Sequence, residues 1–370
     1  MQSLFSNALS KLFSQHFPLS TSRRETLAWL VVLVMRQGTV CLWRLAAHAE
    51  THAALASVQR RFYRFFQHVH LDGALTARIV VALLGLEGKP WTLAIDRTNW
   101  YFGRTSINIL MIAVDWRGIG IPLLWTLLPA RGNSETATRL KLFDRLAEVF
   151  PDMRVAALTG DREFIGNVWM ASLEARKIPF ILRLKDTQLI RREGFSTRPV
   201  SVLARRLQPG AKLIVKQPCR LADDPDAPAL HIVILRLRSR ELLVLATNTN
   251  PRAALQRYRA RWRIECLFAN LKSRGFDLEA THLTNPAKLE TLIACLAIAV
   301  ALAAKSGAAA QAQAPIPSKA HGRKASSLFA LGLKTFCKAL ACPSRLQTEH
   351  FLHDLLARAA PKAHPKPCLV

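Results

Sequence analysis

The chain has 370 residues, which is too long for a single small hydrophobic core and predicts a central domain with smaller attached regions. Half of the residues are hydrophobic, so there is enough apolar material to form buried cores. Lys and Arg number 52 against 25 Asp and Glu, giving a formal net charge of +27. This composition argues against wholesale disorder and favours a polyanionic partner, best met by nucleic acid, because neutralised phosphates release counterions. A membrane-surface or generally basic protein is the alternative that charge alone leaves open.

The cysteines and the most apolar stretch narrow the class of protein further. The seven cysteines are odd in number and lack CxxC or paired Cys/His spacing, which predicts free thiols in a reducing cytosol. Residues 291–304 form an apolar run of about 14 residues, short of the ~20 that cross a bilayer, and predict a buried helix. Residues 1–17 lack the pattern of a signal peptide, so we expect a cytoplasmic protein with no membrane partner.

The first predicted region, residues 1–88, has apolar residues at helical spacing. Within it, Arg60, Arg61 and Arg64 alternate with aromatic residues. This pattern is typical of a helix that contacts phosphates while its rings pack inward, although an ordinary amphipathic helix with a solvated basic face fits equally well. We therefore predict a helical DNA-binding region here.

Short apolar runs separated by turns replace this pattern from Trp91 onward and predict strands. The predicted elements are, in chain order, strands 91–95, 107–114 and 119–128, a helix from Ser134 to Phe150, a strand 153–158, a helix 165–177 and a strand 179–184. The polar turn 115–118 joins the second and third strands into an antiparallel hairpin, and Ser134 is the expected N-cap. This order is typical of a ribonuclease-H-like α/β core.

The remaining segments complete the predicted organisation. A helix over 251–274 has Asn250 as N-cap, Pro251 at its first position and Gly275 after its end. Residues 307–317 predict a flexible connector to a basic helical tail that contacts DNA or a second protomer, or is simply solvated. The predicted domains are a helical region 1–88, core residues 89–185, a β-rich insertion 186–249, core residues 250–305, and a linker with a helical tail 306–370.

Two aspartates follow predicted strands that lie side by side in a ribonuclease-H-like sheet. Asp96 ends the first strand and Asp161 follows the fourth, at strand ends where α/β sheets expose functional side chains. Singly, each is compatible with a turn-forming residue or a helix N-cap. Their joint occurrence favours a shared site, and carboxylate oxygens suit a hard cation such as Mg²⁺.

Four polar residues form one stripe of the predicted long helix. Tyr258, Arg261, Glu265 and Lys272 fall within about 60° of each other at roughly 100° per residue. Glu265 is able to complete a metal site, while the other three are able to hold phosphate oxygens. A simple i,i+4 pair between Arg261 and Glu265, worth a few tenths of a kcal/mol, is the alternative.

The spacing of these four residues resembles the signature of the insertion-sequence-four transposases, members of the DDE superfamily. The resemblance extends to residues 94–99 and 160–164 and covers residues 91 to about 300. It implies that three acids are catalytic and bind metal: Asp96, Asp161 and Glu265. It also implies phosphate binding by Tyr258, Arg261 and Lys272, and further DNA contacts are expected at Arg60, Arg61, Arg64, Arg97 and Arg162.

The resemblance implies a cut-and-paste DNA transposase that uses two Mg²⁺ ions roughly 3.5 to 4 Å apart, with Mn²⁺ as a substitute. Water cuts the transposon end, and the liberated 3′-hydroxyl then attacks target DNA. The implied partners are the inverted-repeat ends, the target DNA and a second protomer in the synaptic complex. The implied location is the bacterial cytoplasm, at the nucleoid.

Two other functions and one departure from the family remain open. A ribonuclease-H-like nuclease or resolvase cuts without joining, and a non-catalytic remnant of a transposase only binds DNA. Relatives that form hairpin ends stack a flipped base on an aromatic residue of the β insertion, where residues 184–251 offer only Phe195. Trp169 and Trp262 are the candidates to replace that residue, and the use of hairpin ends stays open.

Overall fold

A computed structural model of the chain describes residues 2–129, 132–222, 227–320 and 322–357. Its α-helices are α1 (Gln2–Ser14), α2 (Thr21–Gln37), α3 (Leu42–Ala47), α4 (Leu55–His68), α5 (Gly73–Leu84), α6 (Thr136–Val149), α7 (Asn167–Ala175), α8 (Pro251–Tyr258), α9 (Trp262–Leu271), α10 (Pro286–Gln313), α11 (Leu328–Ala341) and α12 (Arg345–Leu356). Its strands are β1 (Pro90–Phe102), β2 (Thr105–Trp116), β3 (Ile119–Leu127), β4 (Arg154–Gly160), β5 (Phe180–Leu184), β6 (Leu189–Arg192), β7 (Phe195–Pro199), β8 (Lys212–Ile214), β9 (Arg220–Leu221), β10 (His231–Arg236) and β11 (Leu242–Thr247). The end of the predicted tail, residues 358–370, lies outside the described residues.

The central sheet has eight strands in the order β3-β2-β1-β4-β5-β11-β10-β8. The hairpin β2–β3 lies at one edge, β1 runs antiparallel to β2, and the strands β1, β4 and β5 run parallel to one another. Helices flank this sheet. The predicted ribonuclease-H-like α/β class, with helical regions on either side of the core in sequence, is therefore confirmed.

A two-residue turn closes the predicted hairpin. Arg117 and Gly118 have φ of 51° and 88°, the left-handed backbone that matches the twist of antiparallel strands. Asp115 accepts a hydrogen bond from the Gly118 amide at 3.0 Å and pairs with Arg263 of α9. A Cβ on Gly120 would lie 2.6 Å from the Arg263 carbonyl oxygen, so a side chain there would separate helix and strand. These contacts hold α9 close against the sheet.

β1 is longer than its apolar run predicts, which corrects the position of Asp96. The strand continues through polar residues to Phe102, because each residue from Leu93 to Phe102 pairs with β2. The parallel pairing of β1 with β4 stops at Ile95 and Gly160. Asp96 thus lies inside β1, at the level where the neighbouring strand β4 ends.

The segment 186–249 is β-rich, and its strands are divided between two sheets. β8, β10 and β11 extend the central sheet beyond β5, while β6, β7 and β9 form a separate three-stranded sheet. Only the second group is independent of the core sheet. The limits of the inserted domain stay a prediction.

The predicted continuous helix 251–274 is interrupted and ends early. A 3-10 turn, Arg259–Arg261, separates α8 from α9, because the Trp262 amide bonds back three residues to the Arg259 carbonyl oxygen. The predicted start is correct, since the Asn250 side chain accepts a hydrogen bond from the Arg252 amide and Pro251 begins the helix. The helix ends at Leu271, three residues before the predicted end.

α10 is the central helix of the helical part of the molecule. It packs against α2, α4, α5 and α11. Its length and apolar composition are compatible with a membrane span, but 83% of its most apolar window is buried inside the protein, as in the predicted core helix. The helix continues to Gln313, so the predicted flexible connector at 307–317 is wrong over its first half. Small residues of this segment pack against α11, which stabilises the helical form.

The six cysteines among the described residues are free thiols, in agreement with the absence of paired spacing.

Candidate active site

Three separate elements carry the acids that the sequence singles out. Asp96 lies on β1, Asp161 directly follows β4, and Glu265 lies on the first turn of α9. The parallel pairing of β1 and β4 ends at Ile95 and Gly160, and the residue that follows each of these is one of the aspartates. The register of the sheet therefore places the two aspartates side by side.

One guanidinium group contacts all three carboxylates. Arg261 Nη2 lies 3.2 Å from Asp96 Oδ2 and 3.4 Å from Asp161 Oδ2, and Nη1 donates to Glu265 Oε1. The side chain of Arg261 is only 12% exposed, so these charges interact largely out of water. Since a guanidinium spans only a few ångströms, the three acids meet within one small volume.

The electrostatics of this cluster favour a bound cation. Burial raises the pKa of Asp96 to about 6; the Arg261 guanidinium opposes this effect, and the charges of Asp161 and Glu265 add to it. Burial also raises the pKa of Tyr258, whose ring lies close enough to Arg261 and Asp161 to interact with their charges. Three carboxylates in a half-buried space repel one another unless positive charge accompanies them.

The donor set fits a divalent metal ion. Asp161 Oδ1 is buried without a hydrogen-bond partner, and Arg183 Nη1 lies 3.9 Å from it. All candidate ligands are carboxylate oxygens, which Mg²⁺ prefers. Within the described ranges no three His, Cys, Asp or Glu side chains already surround one metal position, and Arg261 lies among the acids instead. A metal would thus share the three carboxylates with Arg261 or take them over.

A family model described as the transposase DDE domain matches residues 87–302, more than half of the chain. The chain belongs to the DDE transposase family. The comparison with curated proteins found no match. Membership implies a transposase that acts on DNA in the cytoplasm, with nuclease and transesterification chemistry in general, and DDE domains generally use divalent metals. The insertion-sequence-four subtype is compatible with this match and stays a prediction.

The remaining residues of the transposase signature occupy two different places. Tyr258 and Arg261 lie beside the acids, and the buried Tyr258 hydroxyl has no hydrogen-bond partner. Lys272 does not share their stripe, because the helix has already ended at Leu271. Its ammonium donates to the Asn99 carbonyl oxygen at 2.9 Å and pairs with Glu279 at 2.9 Å. The Lys272 side chain therefore contacts β1 at Asn99, three residues beyond Asp96.

The five arginines predicted to contact DNA differ in solvent exposure and in the number of partners within the protein. Arg60, Arg64 and Arg162 are exposed. Arg61 instead ties α4 to α2, because its guanidinium donates to Thr26 Oγ1 at 2.7 Å and pairs with Glu25 at 3.3 Å.

Arg97, the fifth of these arginines, is also held within the protein. Its Nε lies 2.7 Å from the carboxylate of Glu163. Internal partners therefore oppose the prediction that Arg61 and Arg97 reach DNA.

The structure excludes one of the two tryptophans proposed to stack a flipped base. Trp169 is fully buried and packs against Phe143, with ring centroids 6.0 Å apart. Trp262, next to Arg261, is 65% exposed. Phe195 is 48% exposed and lies under the guanidinium of Arg192 at 4.2 Å. Of the three aromatic residues considered for stacking a flipped base, Trp262 and Phe195 are therefore exposed to solvent.

Two residues of the site have no role in the sequence-based prediction, although one of them, Glu163, lies in the segment 160–164 that resembles the family. Arg183 reaches Asp161 from β5, and a single charged residue within the apolar run of that strand is the signal that indicates it. Glu163 follows Asp161 by two residues and binds the neighbour of Asp96. Its partners are distant in the chain, so spacing alone does not indicate it.

Proposed function

We propose that this protein is a cut-and-paste transposase whose catalytic acids are Asp96, Asp161 and Glu265. The single observation that supports this assignment best is the contact of one guanidinium with all three carboxylates, which come from β1, the end of β4 and α9. Such convergence is unexpected for unrelated surface acids. It matches the requirement of a metal-dependent phosphodiester chemistry for several carboxylates at one point.

The reaction divides among residues of the chain as follows. When bound, two Mg²⁺ ions, or Mn²⁺ in their place, supply positive charge at the scissile phosphate and activate water or a 3′-hydroxyl. The three acids hold and space the ions. Arg261 neutralises excess negative charge of the acids, and it would bind phosphate oxygens where the metal ions take over its carboxylate partners. The unpartnered Tyr258 hydroxyl donates a further hydrogen bond to the DNA backbone.

The N-terminal helices are proposed to bind the transposon end. Arg23, Arg60 and Arg64 are exposed and line a cleft of about 450 Å³ between α2 and α4. The three phenylalanines of α4, Phe62, Phe65 and Phe66, are buried, whereas Tyr63 is 48% exposed. This separation of cations from rings supports contact with phosphates, which depends on charge and is sensitive to salt. The arginines Arg97 and Arg162, beside the acids, were predicted to add contacts, and only Arg162 is exposed.

We further propose that two protomers act together on two inverted-repeat ends, at the bacterial nucleoid. A rival function is a ribonuclease-H-like nuclease that cuts without joining, and a second is a non-catalytic DNA-binding remnant. All three share the fold. They differ in whether DNA is cut and in whether a free 3′-hydroxyl is then joined to a second DNA.

A strand-transfer assay separates these functions. Purified full-length protein is incubated with Mg²⁺, a labelled and already cut transposon end, and a supercoiled target plasmid. A transposase joins the label to the plasmid, and an end lacking its 3′-hydroxyl serves as the control that cannot join. Cutting of an uncut end without any joined product would establish the nuclease, and absence of both reactions would establish the remnant.

Lys272→Ala should weaken binding of the transposon end and reduce the salt dependence of that binding by about one phosphate contact. The expected reason is that Lys272 exchanges Glu279 for a DNA phosphate when DNA binds. The measurement is the slope of log K against log salt by fluorescence anisotropy. Lys141→Ala, at an exposed lysine on α6, is the matched control. An unchanged slope in Lys272→Ala would exclude Lys272 from the DNA interface.

A further inference from the structure

The two aspartates lie at a gap in the pairing of β1 with β4. The backbone ladder between these strands ends with Ile95 opposite Gly160, one residue before each acid. Arg261 contacts both aspartates at this gap, and the next direct link between the two segments is the ion pair of Arg97 with Glu163, one residue beyond Asp96 and two beyond Asp161. The aspartates are thus bracketed by the ladder on one side and by this ion pair on the other.

Glu163 is the centre of a dense hydrogen-bond network. Its Oε1 accepts from Arg97 Nε at 2.7 Å, from the Ser134 amide at 2.8 Å and from Ser134 Oγ at 2.9 Å. Arg139 Nη2 lies 3.9 Å away, and its own Nε donates to Ser134 Oγ at 2.8 Å. For this reason Ser134 does not cap α6 as predicted, and Glu135 takes the cap position without a side-chain hydrogen bond.

The network is largely shielded from water. The side chains of Glu163 and Arg139 are 13% and 4% exposed, and that of Arg97 is 18% exposed. Ion pairs that are buried and hydrogen-bonded on several sides hold their geometry, and removal of one partner leaves an uncompensated charge. The position of Glu163 is therefore fixed by three other residues, Arg97, Ser134 and Arg139.

Arg97 is committed to the same network on its other side. Its Nη1 donates to Asn108 Oδ1 of β2 at 3.1 Å, and its Nη2 donates to Asn133 Oδ1 at 3.3 Å. A guanidinium with these three partners is not available to a DNA phosphate. The carboxylate of Glu163 is itself occupied by Arg97 and Ser134.

We propose that Glu163 is a positioning residue that, through Arg97, sets the separation of the Asp96 and Asp161 carboxylates. The inference rests on the proposed function, because the separation matters for metal binding. Groups that orient metal ligands typically change metal affinity or activity by about 10- to 100-fold when they are replaced. Loss of the ion pair should let the two segments separate beyond the end of the ladder and weaken metal binding.

The test measures Mn²⁺ binding by the full-length protein without DNA, using the electron paramagnetic resonance signal of free Mn²⁺. Glu163→Gln keeps the shape of the side chain and removes its charge, and Arg97→Gln removes the other partner. Glu174→Gln, at an exposed glutamate on α7, is the control. We expect affinity for Mn²⁺ to fall about 10-fold in both variants and to be unchanged in the control. Both variants should still bind the DNA end with the salt dependence of the unaltered protein.

Two results would overturn the proposal. Unchanged Mn²⁺ affinity in a folded Glu163→Gln or Arg97→Gln variant would show that the ion pair does not set the carboxylate separation. A salt slope reduced by about one in Arg97→Gln would instead make Arg97 a DNA contact. The Mn²⁺ titration needs no DNA, so its outcome is separate from the proposed function. An unaltered protein that binds Mn²⁺ and never cuts DNA would refute only the transposase proposal.

As a kinetic check, the metal concentration that gives half-maximal cutting should rise about 10-fold in Glu163→Gln. The maximal rate at saturating Mn²⁺ should stay close to that of the unaltered protein. A purely structural defect would lower the amount of active protein and thus the maximal rate, without moving the half-maximal metal concentration.

Discussion

Asp96→Asn, Asp161→Asn and Glu265→Gln should each reduce cutting of the transposon end by at least about 10³-fold. An amide keeps the size of the side chain and loses the negative charge that holds a metal ion. The loss corresponds to several kcal/mol of transition-state stabilisation, at about 1.4 kcal/mol for each tenfold change in rate. The measurement is the single-turnover rate of strand cutting in Mg²⁺.

Binding of the DNA end should survive in all three variants, because the proposed phosphate contacts lie on other residues. Glu148→Gln, at an exposed glutamate on α6, is the matched control and should cut at the normal rate. A variant that cuts as fast as the unaltered protein would remove that residue from the active site. A variant that no longer folds would be recognised by its lost near-ultraviolet circular dichroism.

Gly332→Ala should destabilise the protein by at least about 3 kcal/mol. This is the opposite of the effect in an ordinary helix, where alanine is more stable than glycine. A Cβ on Gly332 would overlap the Ala303 carbonyl oxygen, and one on Gly307 would overlap the Leu328 carbonyl oxygen. Both contacts involve backbone atoms of packed helices. α10 and α11 would therefore have to move apart, which exposes apolar surface on both.

The measurement is the free energy of unfolding in urea. Ala330→Gly, at an exposed position of α11, provides the comparison and should cost only about 1 kcal/mol. Equal or greater stability of Gly332→Ala would show that α11 does not pack on α10 in solution. The result thus tests whether the segment after residue 302, beyond the family match, is part of the fold.

The sequence predicts those elements of the core sheet whose formation depends on residues close together in the chain. The apolar runs and the polar turn 115–118 indicate the hairpin, and its two left-handed residues lie in that turn. The extent of β1 is not predictable in this way. Its second half contains Arg97, Thr98 and Asn99, which form a strand because β2 pairs with them. Strand length here depends on a partner that no local pattern identifies.

The same distinction applies to the helix that carries Glu265. Spacing correctly predicts that Tyr258, Arg261 and Glu265 lie together, because these residues are close in sequence. Lys272 departs from the stripe since the helix ends one residue earlier and its ammonium binds Asn99. The role of Glu163 is not predictable from the sequence, because its partners Arg97 and Ser134 are 66 and 29 residues away. Tertiary contacts decide these positions.

The C-terminal half of α10 shows the limit of composition as a guide. The segment after Gly307 is rich in Ala and Gln, and it was predicted to be a flexible connector. Ala and Gln are good helix formers, and the close packing of Gly307 against α11 further stabilises the helix. The small residues that suggest flexibility are the ones that permit close helix packing.

The most direct test of a shared metal site is the crystal structure of the protein with a transposon end and Mn²⁺, located by anomalous scattering. A shared metal site predicts peaks about 2 Å from carboxylate oxygens of Asp96, Asp161 and Glu265, beside the scissile phosphate. Peaks elsewhere, or a Glu265 carboxylate beyond about 10 Å from both aspartates in the DNA-bound protein, would contradict it.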